Sequence, residues 1–337
     1  MKRLFERVAI ERKCIIMKKF KDKIGYLFIS PFFLVFLLFN AYPIFFTMYL
    51  SMTNYKGYGK KIFIGADNFK LIFKDPNVVD AFFNTIKIWG VNIFFQIFLA
   101  LSLVMVFSDI QYKFKGLKFF RVIFYLPNLI AGATIALIFM KLLDKDYGVV
   151  NQVLFSVGWI DKPIGWLTKP IIAQMSVSSI QTWMWFGNSF ILFMASVQAV
   201  SKEIFEAARI DGAGRFQILK NITIPSIKPI LMYVMITGLI GGLQLFDIPF
   251  LITDGKGFPA GSLNTMIVYI YNMAFVYKNY GYASALSFAL FLVILAFTIV
   301  FTLITNGNEL REFFNGRKQR KARKKELAKM EGSAKYE

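Results

Sequence analysis

The sequence has no histidine and one cysteine, Cys14. An intrachain disulfide is therefore excluded, as is chemistry that needs an imidazole as base or metal ligand. There is no Cys-x-x-Cys pair and no glycine-rich phosphate loop, so the chain is not expected to hydrolyse ATP itself. Charge is also scarce, with 18% charged residues against 56% hydrophobic ones and a mean hydropathy of +0.53. Soluble domains average about 25% charged and roughly 45–50% apolar residues. The apolar excess falls in blocks long enough to cross a bilayer, each needing roughly 20 residues. Six are read: Ile24–Leu50, Phe82–Phe107, Phe119–Leu142, Ile171–Val200, Ile230–Ile252 and Ala285–Thr305. The fourth is interrupted by Gln174, Gln181, Asn188 and several serines. The first reads as a span and not as a cleavable signal peptide, because it is long, lacks a small-x-small site and is followed by further spans.

The formal net charge is +20, and its distribution reads as a topology signal rather than a nucleic-acid surface. Positive residues cluster before the first span, from Lys2 to Lys23, and after the sixth, from Arg317 to Lys325. They recur between spans two and three (Lys113, Lys115, Lys118, Arg121) and between four and five (Lys202, Arg209, Arg215, Lys220, Lys228). The other loops are poorer in basic residues or balanced by Asp144, Asp146 and Asp161. Basic loops face the cytoplasm, so both termini are expected inside, and an even number of spans follows. The expected fold is all-α: a polytopic, multi-pass membrane protein with both termini cytoplasmic, in contact with lipid headgroups. Three regions are expected: a basic cytoplasmic segment 1–23, a six-helix domain 24–306, and a basic tail 307–337. Met17, directly ahead of a Lys-rich stretch, reads as an alternative start.

The segment 201–225, between spans four and five, reads as a helical hairpin. Ser201 is placed to cap a first helix, and Glu203 suits its first turn. Ile204, Ala207 and Ala208 share a face at helical spacing. Gly212 and Gly214 allow the positive backbone angles of a sharp turn. A second short helix starts near Phe216, and Pro225 and Pro229 are expected to end it before span five. The pattern Glu206-Ala207-Ala208, three residues, Gly212, nine residues, Ile222-x-Ile224-Pro225 resembles the E-A-A-x3-G-x9-I-x-L-P signature of binding-protein-dependent importer permeases. The departure is Ile224 in place of leucine.

That resemblance implies a type I ABC importer permease fold, with the loop docking into a cleft on a cytoplasmic ATPase subunit. It implies that Glu206 makes the key polar contact, that Gly212 sets the turn, and that Ala207 and Ala208 allow close approach; Asp211, Ile222 and Pro225 complete the coupling segment. It also implies a second homologous permease, two ATPase subunits and an extracytoplasmic solute-binding protein. ATP and magnesium then belong to the ATPase partners, with no cofactor in this chain. Phe124-Tyr-Leu-Pro-Asn-Leu-Ile-Ala-Gly132, Gly148-x-x-Asn151, Gly165-Trp166-Leu167, Trp183 and Tyr280-Gly-Tyr-Ala-Ser-Ala-Leu286 are similar to the sugar branch of the family, resembling the larger permease of maltose, lactose and multiple-sugar systems. The loop Thr253-Asp-Gly-Lys-Gly-Phe-Pro259 departs from that branch's tighter T-x-G-G-P.

A solute path needs polar groups inside the bundle. Spans four and five offer Gln181, Trp185, Asn188, Gln244 and Asp247, where the resemblance places sugar contacts, and Pro249 is expected to unwind span five nearby. Amides and a carboxylate suit hydroxyl pairs, and aromatic faces suit the C–H faces of sugar rings. Helix–helix hydrogen bonding is the competing reading of each residue. Lys87 and Lys141 are read as snorkelling, and Gly238-x-x-x-Gly242 as a close-packing face. Two alternatives stay open: the same machine for glycerol-phosphate or a polyol, and an ion-coupled secondary transporter. A phosphorylated solute would want arginine or lysine in the path; an ion-coupled transporter would want intramembrane charge pairs.

Overall fold

The computed structural model describes residues 26–107 and 116–305. The basic segment 1–23 with Met17, Lys113, Lys115 and the tail 307–337 lie outside the described residues. Among the described residues the chain is helical, with one isolated bridge between Thr53 and Phe63.

The chain order is α1 (Tyr26–Ser51), α2 (Asp67–Ile72), α3 (Pro76–Phe107), α4 (Leu117–Leu129), α5 (Gly132–Leu142), α6 (Val149–Ser156) and α7 (Pro170–Gln198). It continues with α8 (Lys202–Ile210), α9 (Arg215–Ile218), α10 (Ile224–Leu243), α11 (Asp247–Thr253), α12 (Met266–Tyr271) and α13 (Tyr280–Thr305). Among the described residues, four stretches are individually long and apolar enough to cross a membrane: α1, α3, Arg215–Thr253 and α13. Counting each of the bent pairs α4–α5 and α7–α8 as one span gives six. At 1.5 Å per residue, the 32 residues of α3 extend about 48 Å, beyond a hydrocarbon core of roughly 30 Å. Its first turns, from Pro76 to Phe82, therefore project past the expected start of span two.

Span three is not one straight helix. α4 and α5 meet at 94°, through extended backbone at Ile130 and Ala131. The halves pack on different neighbours, each through a glycine. Gly187 of α7 lets the Phe124 carbonyl of α4 rest against its Cα, and Gly132 of α5 faces the Asp247 carboxyl group. Pro127 in the last turn of α4 removes one helical donor and weakens that end.

Span five breaks as Pro249 suggests, and the break lies at Gln244–Phe246. A proline has no N–H for the carbonyl four residues back, and its ring crowds that carbonyl. The carbonyl released is that of Leu245, and Thr265 Oγ1 donates to it at 2.7 Å in a buried setting. The expected stop at Pro225 and Pro229 is not found. The chain runs from α9 through a wide π turn, Leu219–Thr223, directly into α10, with Pro225 in the first turn and Pro229 inside the helix. An extra residue per turn ahead of Pro225 accommodates a ring that a tight α turn would clash with.

Three apolar clusters organise the bundle. Ile88, Ile135, Val177, Ile180, Met184, Ile248 and Leu263 fill the half remote from the hairpin. Ala100, Val104, Phe190, Phe193, Met194 and Ile227 fill the half beside it. A third cluster joins α3, α10, α12 and α13 through Val78, Leu239, Leu243, Tyr269, Tyr282 and Leu286. α1 enters the core only at its last turn, where Leu50 and Ser51 are buried.

Candidate functional site

Between the two halves lies a cavity of about 250 Å³, walled by α3, α7 and α10. Its polar lining comes from Trp89, Asn92 and Gln96 of α3, Gln181, Trp185, Asn188 and Ser189 of α7, and Thr237 of α10. No lining residue carries a charge. One side-chain bond ties α3 to α7 along this wall, Gln96 Nε2 donating to Ser189 Oγ at 2.8 Å; the Ser178 and Thr182 hydroxyls lie 3.0 and 3.4 Å from Ile88 O and Asn92 O, but are closer, at 2.8 and 2.9 Å, to Gln174 O and Ser178 O of their own helix. Within a membrane an interhelical bond of this kind contributes about 0.6–2 kcal/mol. Trp185 Nε1 donates to Gln181 Oε1 at 3.2 Å, one helical turn away. The third wall approaches closely because Gly238 and Gly242 lie under Ile93 and Trp89: a Cβ at Gly242 would overlap the indole ring, and one at Gly238 would push the Ile93 Cδ1 methyl aside.

Gln181, Trp185 and Asn188 are therefore brought together on this wall, whereas Gln244 and Asp247 are not among its lining residues. Both are exposed on the chain, at and just after the break in span five, with Asp247 against Gly132. Leu245, lying between them, is the residue that faces the cavity, so the side chains on either side of it are turned elsewhere, Asp247 toward Gly132 of α5. Sequence reasoning passed over Asn92, Gln96 and Thr237. Asn92 and Gln96 form an i, i+4 amide pair inside an apolar span, a spacing that puts both on one face.

At the end of the bundle remote from the hairpin, the loop after α11 is tied to α3 and α7. Asn84 Nδ2 donates to Gly261 O at 2.9 Å and to Asn264 O at 3.4 Å. Gln174 Nε2 donates to Asn84 Oδ1 at 2.8 Å and to Ser262 O at 2.9 Å. Leu263, fully buried, plugs the cluster below. On the same side Asp75 Oδ2 accepts from Tyr269 at 2.6 Å and from Tyr282 at 2.8 Å, tying the start of α3 to α12 and α13. Partial burial pushes the Asp75 carboxyl up, but the two phenols and Asn77 outweigh it and hold it below its ordinary value. Asn151 anchors the α6 loop, donating to Lys145 O and Ile164 O and accepting from Trp166 Nε1 at 2.9 Å.

At the opposite end, α8 turns off α7 by 81°. Ser201 occupies the capping position, yet its side chain makes no capping bond. Gly212 has φ +80 and closes α8: Ala213 N donates to Ala208 O and Gly212 N to Arg209 O, both at 2.9 Å. That pair of bonds is the Schellman closure, which requires a residue with positive φ at Gly212. Gly214 does not share this conformation; with φ −72 it starts α9, its N–H donating to Gln217 Oε1 at 2.8 Å. Phe205 is buried, and Ala208, Ala213 and Ile222 pack beside it. Glu206, Ala207, Asp211, Gly212 and Pro225 are exposed, as are Ile210 and Phe216. The paired alanines thus point in different directions, Ala208 toward the bundle and Ala207 away from it.

A family model described as the binding-protein-dependent transport system inner membrane component matches residues 15–309. The chain belongs to this family. It is a membrane transport component, and the apolar helices accord with a multi-pass protein of the bacterial inner membrane. Among relatives, the lactose transport system permease protein of Rhizobium radiobacter is 34% identical over 82% of this chain and 92% of its own length. The trehalose/maltose transport system permease protein of Thermococcus litoralis is 29% identical over 85% of this chain and 94% of its own. Among solved structures, a chain of a bacterial ABC transporter involved in alginate import superposes with a TM-score of 0.74 at 23% identity, covering 87% of this permease and 99% of that chain. A chain of the bacterial alginate transporter in complex with a pentasaccharide-bound periplasmic protein gives 0.73 at 25% identity, covering 87% and 96%.

Proposed function

We propose that the chain is one permease subunit of an ATP-driven, binding-protein-dependent carbohydrate importer. The observation that carries this reading is the rooting of the hairpin. Phe205 sits in one cluster with Val104 of α3, Phe190 of α7 and Val234 of α10, and Val234 also lines the cavity. A displacement of the exposed tip around Glu206 is therefore delivered to all three cavity walls, because packed interiors move as rigid contacts. In this reading the tip docks on an ATPase subunit, closure of two ATPases on ATP swings the walls, and the solute crosses by alternating access. The ATPases carry ATP and magnesium and perform the hydrolysis. A second permease completes the pathway, and a solute-binding protein delivers cargo to the side covered by the loop 257–265.

A carbohydrate is favoured by the uncharged amide and indole lining of the cavity. The printed functions of the lactose and trehalose/maltose relatives point the same way. A phosphorylated solute would find no lysine or arginine on the lining, and an ion-coupled mechanism would find no charge pair there. The test is uptake by proteoliposomes holding the whole assembly. ATP-dependent accumulation of a labelled sugar is expected; accumulation by this chain alone on a proton or sodium gradient would overturn the reading.

A further inference from the structure

The outward end of α1 carries a charge that topology does not explain. Lysine is ordinarily depleted from translocated loops, and its attraction to anionic headgroups acts mainly at the cytoplasmic leaflet. Residues 54–66 nevertheless hold Lys56, Lys60 and Lys61 and no aspartate or glutamate. The other outward segments are closer to balance, with three lysines against three aspartates in 143–169 and two against one in 254–279. The ion pairs on this side among the described residues, Lys70 with Asp67 at 2.8 Å and Lys256 with Asp254 at 3.8 Å, leave the three lysines without a carboxylate. All three are exposed, as is Tyr58 between them.

This segment is not a slack connection. It doubles back as a ribbon around the Thr53–Phe63 bridge, with Asn54 N donating to Ile62 O at 3.1 Å and Ile64 N to Met52 O at 2.8 Å. Asn68 Nδ2 donates to the Ser51 and Thr53 carbonyls, both at 2.8 Å. Gly281, in the first turn of α13, donates from its N–H to Tyr55 O at 2.9 Å and admits the Thr53 carbonyl against its Cα. The Tyr55 hydroxyl donates to Gly57 O at 2.9 Å, and Gly57, with φ +87, lies against the Tyr280 ring. Lys61 Nζ is laid over the rings of Phe46 and Tyr55, 4.9 and 5.2 Å from their centroids. Lys56 and Lys60 are thus left on a fixed ribbon, a preorganised presentation that lowers the ordering cost of binding.

The partner that such a surface fits carries carboxylates and approaches from outside. A neutral solute gains little from ammonium groups on an exposed ribbon away from the cavity, whereas an acidic protein face gains both steering and contact. We infer that the ribbon 54–66 is a docking surface for an acidic patch on the solute-binding protein, with Lys56 and Lys60 meeting its carboxylates and Tyr58 packing between them. This inference rests on the importer reading above and adds to it the surface and the chemistry of docking. Exposed charges are screened by salt, so docking through this ribbon weakens as ionic strength rises.

The test uses the complete importer in phosphatidylcholine nanodiscs and the solute-binding protein encoded beside it, with lactose, maltose and trehalose supplied together. The quantity read is the binding-protein concentration that gives half-maximal stimulation of ATP hydrolysis. Lys56→Glu/Lys60→Glu should raise it about tenfold at about 50 mM salt and leave it within about twofold of wild type at about 500 mM, with the maximal rate unchanged. Lys56→Gln/Lys60→Gln, which removes the charge without reversing it, should fall between the two. Carbodiimide cross-linking of the wild-type complex should join carboxylates of the binding protein to Lys56 or Lys60. Wild-type half-saturation in both variants at low salt, or cross-links confined to other lysines, would overturn the inference alone. Variants that match wild type in half-saturation but lose a stabilisation by phosphatidylglycerol would overturn it in favour of a lipid contact. No stimulation of the wild-type assembly would overturn the importer reading and the inference together.

Discussion

Thr265→Val isolates the account of the break in span five. Thr265 Oγ1 donates to Leu245 O at 2.7 Å and accepts from Val268 N at 3.5 Å. Valine has nearly the same shape and makes neither bond. Stranding the Leu245 carbonyl costs about 1–3 kcal/mol, and losing the cap of α12 about 1 kcal/mol more. The expected loss is therefore roughly 2–4 kcal/mol, read as the unfolding free energy in a detergent-to-SDS titration. If Pro249 is what releases that carbonyl, Pro249→Ala supplies an N–H in the same place. The double variant should recover the carbonyl portion and keep only the cap loss of about 1 kcal/mol. Additive losses in the double variant, or a Thr265→Val protein as stable as wild type, would refute the reasoning.

Three other perturbations follow from the packing and the outer clamp. Gly187→Ala places a methyl group against the Phe124 backbone carbonyl, so it should separate α4 from α7 and cost several kcal/mol, on the order of the larger overpacking effects; folded yield after detergent extraction reports it. The Asp75 carboxyl is held below 3.8, its ordinary value, so its contribution is present above that pH and is lost as pH falls through the lowered value. Acid unfolding of Asp75→Asn should accordingly be less steep than that of wild type in that window, and Tyr269→Phe with Tyr282→Phe should reproduce the effect. Gly212→Ala puts a side chain at φ +80 and should loosen the hairpin by about 1 kcal/mol, visible as faster amide exchange at Ala213.

The crossings were legible because bilayer thickness imposes a length that composition alone reveals. The hairpin was legible because a turn at Gly212 and exposed residues at its tip follow from local chemistry. What stayed hidden is tertiary. Pro225 and Pro229 looked like stops, yet a π turn ahead of Pro225 lets the helix continue. Span three looked continuous, but its halves are drawn to different neighbours through Gly187 and Gly132. The cavity was half legible: Gln181, Trp185 and Asn188 could be placed by their polarity in span four. Gln244 and Asp247 are equally polar, yet it is the apolar Leu245 between them that meets the cavity. Asn92 and Gln96 carried a readable i, i+4 signal within a long apolar run. Their importance depends on α3 packing between α7 and α10, which no local pattern encodes.

The central claim is that force enters at the tip around Glu206 and reaches the cavity through Phe205. ATP-driven sugar uptake by the complete assembly, compared between wild type and Glu206→Lys at equal membrane insertion, tests it most directly. The account predicts that the variant loses uptake by tenfold or more, roughly the worth of one charge-assisted contact, while the chain still inserts and folds. Wild-type uptake by Glu206→Lys would contradict it.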